Sequence, residues 1–154
     1  MTLQRTISIE NSSKNLSKVR EAVSAVLDET TFTRDMRNKI IVAVDEALAN
    51  VVEHAYGGGT GIVDIDFQLT SDHLRVQIRD KGVRFNPGDK LTSTIDIHDH
   101  IRKGLKGGLG LFLMRRIMDE VHFNHDGEEF VNELVMVKNL PTQEDGESAG
   151  EGAS

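Results

Sequence analysis

The chain has 154 residues, 38% of them hydrophobic and 28% charged, which fits one soluble domain with a core of its own. The formal net charge of −7 is uneven: the stretch TQEDGESAGEGAS carries Glu144, Asp145, Glu147 and Glu151 without a base, and the body, left at −3, lacks the basic surplus that marks a nucleic-acid binder. Cysteine is absent, which excludes disulfides and thiolate metal sites and suits a reducing cytoplasm; there is no signal peptide and no apolar run of about 18 residues that would span a membrane.

In chain order, LQRTISIE alternates around Ile7 and Ile9 and reads as a strand. SSKNLSKVREAVSAVLDET opens with serines suited to capping, and Leu16, Val19, Val23, Val26 and Leu27 recur at helical spacing. A second helix is predicted from Thr33 to Val52, with Met36, Ile40, Val44, Ala47, Leu48 and Val51 on one stripe, and YGGGTG stops it. Two alternating strands follow, IVDIDFQL and HLRVQIRD. Lys81–Lys106 is a long polar connection containing Pro87, and loops of that length in a small domain are usually functional. Next come the glycines of GGLGL, a helix to about Glu120, and two closing strands, EVHFN and FVNELVMVK. After Pro141 the composition falls to small and acidic residues, which divides the chain into a folded domain, 1–140, and a disordered acidic tail, 141–154. The order βααββ–loop–αββ predicts an α+β fold: one mixed, mostly antiparallel sheet with helices on one face.

Three groups of residues bear on chemistry. Glu46 and Asn50 stand one helical turn apart and share a face, which His54 extends; taken alone, the pattern is what a solvated helix face also shows. Asp80 ends a strand and Gly82 follows it, which by itself is ordinary turn chemistry. Gly107, Gly108 and Gly110 stand at the head of a helix, where backbone N–H groups approach an anion closely and the helix terminus favours negative charge. The Walker A pattern and the dinucleotide fingerprint are both missing. GGGTG at 57–61 precedes a strand and reads as a turn. DIHDH at 96–100 alternates Asp96, His98 and His100 within the long loop, and a structural metal there is not the expectation.

Together and in this order, these groups resemble the three nucleotide boxes of the GHKL ATPases. DEALANVVEHAY and GGLGLFLMRRIMDEV are similar to the stand-alone anti-sigma-factor serine/threonine kinases of bacterial partner-switching systems, and the resemblance runs over about residues 5–140. It implies a Bergerat-type two-layer α/β sandwich that binds ATP with Mg²⁺. It implies Asn50 as the Mg²⁺ ligand, Glu46 as the general base, Asp80 as the carboxylate that meets the adenine amino group, and Gly82 as the residue that gives the base room. Gly107, Gly108, Leu109, Gly110 and Leu111 would supply backbone donors to the phosphates, and Asn86–Lys106 would be the ATP lid. Arg102, Lys103 and Lys106 are the lid bases able to neutralise charge on the transferred phosphoryl group, with Lys106 next to the glycines. Two positions depart from the wider superfamily: Arg84, where a glycine is frequent, and Asn86, where an aspartate is common before proline.

The function so implied is phosphorylation of a serine in a small STAS-domain anti-sigma-factor antagonist, combined with sequestration of a sigma factor. The enzyme would be a cytoplasmic homodimer with neither nucleic acid nor membrane as partner. Two alternatives stand beside it: an ATP-gated protein-binding switch without phosphotransfer, and a partner-switching kinase whose output is not a sigma factor. Histidine autokinase activity is not expected, because the chain leaves no room for a phosphoacceptor hairpin.

Overall fold

Side-chain alternation in the strands and 3.6-residue periodicity in the helices sort the apolar residues onto faces that meet. The computed structural model describes residues 2–54, 61–82, 108–128 and 130–141. Its elements are β1 (Leu3–Glu10), α1 (Leu16–Leu27), α2 (Arg34–His54), β2 (Ile62–Leu69), β3 (His73–Asp80), α3 (Gly108–Ile117), β4 (Glu120–His125) and β5 (Asn132–Asn139). The predicted order is the observed one, and an α+β two-layer architecture results. The sheet runs β1-β2-β3-β5-β4, and all four of its pairings are antiparallel.

Register decides what each face carries. Ile7, Ile65, Ile78, Leu134 and Phe123 lie in one cross-strand row, and Arg5, Phe67, Val76, Met136 and Val121 in another. The central members of these rows are buried under the helices, with Ile65, Phe67, Val76 and Met136 wholly inaccessible. The helices answer with Val19, Val23, Val26 and Leu27 from α1, Ile40, Val44, Ala47 and Leu48 from α2, and Leu111 and Met114 from α3. Burying each of these larger side chains contributes about 1.5–3 kcal/mol, so the layer contact supplies most of what holds the helices in place.

The helix ends differ from expectation in instructive ways. α1 is entered through a short 3-10 turn, Ser13–Asn15; its N-cap, Asn15, makes no side-chain capping bond to the helix. Asn15 Nδ2 instead donates to the Glu10 carbonyl at 3.1 Å, tying the helix entry to the end of β1. Thr33 does cap α2, its Oγ1 accepting from the Met36 N–H at 3.1 Å. α3 stops at Ile117 rather than near Glu120, because the chain there joins the sheet: the Asp119 N–H donates to the Val137 carbonyl at 2.9 Å and β4 begins at Glu120, while Lys138 Nζ donates to the freed Ile117 carbonyl at 2.8 Å. The lid Asn86–Lys106, the GGGTG turn up to residue 60, DIHDH and the tail beyond Pro141 lie outside the described residues.

Candidate functional site

Helix α2 has 21 residues and runs for about 30 Å. Its apolar stripe sits on the sheet and on α3, and this rotation sets where Glu46 and Asn50 point. Ala43 and Ala47 are fully buried, and such small residues let α3 come close. Gly110 of α3 lies against Glu46 of α2. A Cβ built there would lie 2.6 Å from Glu46 Oε2 and 3.5 Å from Glu46 Cβ. The third glycine of GGLGL therefore opens the space that the Glu46 carboxylate occupies. The sequence showed a glycine there but not the carboxylate it makes room for, since the two are 64 residues apart.

One turn along the same helix, Asn50 is 8% exposed, so the solvated-face reading fails for it. Its Oδ1 is buried and has no hydrogen-bond partner among the described residues. An orphaned amide oxygen in a folded interior is uncommon, because stranding such a group costs about 1–3 kcal/mol. A hard cation resolves the deficit, and an amide oxygen is a suitable neutral ligand for Mg²⁺. The residues present fit a magnesium ion held through Asn50.

The first turn of α3 consists of Gly108, Leu109, Gly110 and Leu111. By helix geometry, their N–H groups have no carbonyl four residues back within the helix. The turn contains no acid, while Arg115 and Arg116 stand in the last turn, so the N-terminal end is electrostatically ready for an anion. Leu111 does a second job: its side chain is 1% exposed and anchors the turn in the core. Lys106 and Gly107 fall outside the described residues, and of His54 only the backbone is described.

Asp80 closes β3 on the helix-covered face, in phase with Leu74, Val76 and Ile78, and is 3% exposed. A carboxylate buried that deeply needs donors. Its Oδ1 accepts from the Gly82 N–H at 2.9 Å, an Asx-type turn, and from Asn132 Nδ2 at 2.9 Å. Its backbone carbonyl accepts from the Val131 N–H at 2.8 Å. Both donors fall on Oδ1, and Oδ2 meets no donor among the described residues. The carboxylate is thus fixed in orientation with one oxygen left to accept. That arrangement suits an exocyclic amino group such as that of adenine.

Asn132 is the residue that sequence reasoning missed. It sits directly opposite Asp80 in the β3–β5 register and is 9% exposed. The available signal was in NELVMVKN: an asparagine in phase with Leu134 and Met136, on the buried side of a strand. No His, Asp or Glu group able to hold a metal by itself occurs among the described residues, and none of the described helices is long and apolar enough to cross a membrane.

Comparison with known proteins bears directly on this arrangement. Residues 9–138 match the model of the histidine kinase-like ATPase domain. The chain is 30% identical over 140 residues to the serine-protein kinase RsbW of Staphylococcus aureus, covering 88% of each protein. It is 32% identical over 111 residues to the protein of the same name from Bacillus mycoides, covering 70% of this chain and 69% of the relative. With that of Oceanobacillus iheyensis it shares 33% over 109 residues, 69% of each.

Proposed function

Since the chain belongs to the histidine kinase-like ATPase family and is a serine/threonine protein kinase of the anti-sigma-factor type, we propose that its substrate is a serine of a STAS-domain anti-sigma-factor antagonist and that it also sequesters a sigma factor. The observation that carries the site assignment is the pairing on α2: Glu46 against Gly110, and one turn later Asn50, whose buried Oδ1 has no partner among the described residues. These residues stand beside the first turn of α3, whose free N–H groups receive the phosphates of ATP.

In this reading Asp80 Oδ2 accepts from the adenine amino group, with Gly82 beside it. Asn50 holds Mg²⁺, which neutralises phosphate charge when bound. Gly107, Gly108, Leu109, Gly110 and Leu111 hold the phosphate oxygens through their backbone, and Lys106 adds a positive charge next to them. The substrate serine Oγ attacks the γ-phosphorus, an Oγ–P bond forms as the bond to the ADP oxygen breaks, and Glu46 takes the hydroxyl proton. The closeness of Gly110 to Glu46 supports that role, because it keeps the base beside the phosphate-binding turn. The protein works in the cytoplasm as a homodimer.

Transfer from labelled ATP to the cognate STAS partner, measured beside nucleotide affinity, tests the reading. Glu46→Gln keeps the shape of the side chain and removes the base. It is expected to bind MgATP within a few fold of the parent while transfer falls by about 10²–10⁴. Transfer at the parental rate would show that Glu46 is not the base. A parent that binds ATP yet phosphorylates no STAS protein would make the chain an ATP-gated binding switch.

A further inference from the structure

On the central strands β2 and β3, the sheet face under the helices is apolar row after row until its last row. There the cross-strand neighbours are Ile9, Val63, Asp80, Asn132 and His125. Three polar side chains on three adjacent strands thus stand side by side at the end of an apolar face. They are hydrogen-bonded in sequence: His125 Nδ1 lies 3.2 Å from Asn132 Oδ1, and Asn132 Nδ2 donates to Asp80 Oδ1 at 2.9 Å. We infer that His125 is a positioning residue for purine recognition, acting through Asn132 to hold Asp80 in the orientation that accepts an amino group at the purine 6-position. The inference rests on the nucleotide site proposed above and deepens it.

The direction of each bond follows from the ends of the chain. An ionised carboxylate only accepts, so the Asn132 amide must turn its nitrogen to Asp80 and its oxygen to β4. That oxygen only accepts, so His125 must carry a proton on Nδ1 and donate it. A donor on the amide oxygen polarises the amide and strengthens its N–H bond to Asp80, and it helps to keep the side chain in the row. Once Oδ1 no longer meets His125, the Asn132 side chain is freer to turn out of the row; Asp80 then loses a donor on Oδ1, and its second oxygen is drawn away from the ligand.

This matters for discrimination because the purines differ at that position. Adenine carries an amino donor, whereas hypoxanthine carries an oxo acceptor that a fixed carboxylate rejects. A site built to accept one hydrogen bond rejects the analogue that lacks the donor, provided the acceptor cannot turn away. His125 lies on the edge strand β4, is part-buried, and is linked to Asp80 through Asn132. Its effect is accordingly on base selection.

Titration calorimetry with MgATP and MgITP, on the full chain, tests this. His125→Phe and His125→Leu remove the donor in two shapes, so that misfolding of either, read from its melting curve, does not decide the matter. His125→Asn places an amide N–H where Nδ1 was. Both donor-free variants are expected to bind ATP about fivefold more weakly, the worth of one hydrogen bond, with ITP affinity held or raised, so that the ATP-to-ITP ratio narrows by at least that factor. His125→Asn restores the ratio to within about twofold of the parent. A folded donor-free variant with the parental ratio, or an Asn variant as deficient as Phe, overturns the inference while leaving the nucleotide site intact. A parent that binds ATP no better than ITP overturns the Asp80 assignment and the role of His125 together.

Discussion

Replacing Gly110 by alanine separates stability from catalysis at a single atom. The added Cβ would stand 2.6 Å from Glu46 Oε2, where ordinary van der Waals contact begins at 3.4 Å. The carboxylate oxygen, at the free end of a flexible side chain, therefore retreats by about 0.8 Å or more, while Glu46 Cβ, at 3.5 Å, stays where it is. Alanine inside a helix is favoured over glycine by about 0.5–1 kcal/mol, so the melting temperature is expected to hold or rise. Misplacing a catalytic group by about 1 Å costs on the order of 10²-fold in rate. Transfer to the STAS partner should thus fall by about 10- to 100-fold in a protein that is no less stable and still binds MgATP. Combining Gly110→Ala with Glu46→Gln provides the control. If alanine acts only by moving the base, it adds nothing once the base is gone. The reasoning is refuted if Gly110→Ala transfers at the parental rate, or if its loss multiplies with that of Glu46→Gln.

Three further outcomes are expected. Asp80→Asn, which turns an acceptor-only side chain into one that also donates, lowers ATP affinity severalfold or more in calorimetry; unchanged affinity would remove Asp80 from the base-binding role. Asn50→Leu keeps the branching of the side chain and eliminates the Oδ1 that has no partner among the described residues, so the nucleotide-free protein should melt no lower than the parent while magnesium ceases to strengthen ATP binding; retained magnesium dependence would place the ion elsewhere. A chain ending at Thr142 should melt within about two degrees of the full chain, because TQEDGESAGEGAS offers no large apolar residue to bury; a larger drop would show that the segment docks on the domain.

Much of this protein is local and was legible as such. Alternation in IVDIDFQL and HLRVQIRD, and the 3.6-residue stripe through Ile40, Val44, Ala47 and Leu48, are properties of neighbouring residues, and each element formed where its periodicity placed it. Glu46 and Asn50 share a face for the same reason, one turn of helix being enough. The turn at Asp80 and Gly82 is equally short-range. Element boundaries were less legible: α3 ends at Ile117 because the chain joins β5 from Asp119 onward, and α1 begins through a 3-10 turn tied to the end of β1. What only the tertiary structure decided are the contacts made between elements. Inserting β5 between β3 and β4 puts Asn132 opposite Asp80 and His125 opposite Asn132, although Asp80 and Asn132 are 52 residues apart. Packing α3 on α2 makes Gly110 the residue that leaves space for the Glu46 carboxylate. Strand order and helix approach depend on how all the apolar faces fill one core at once, and no window of sequence contains that information.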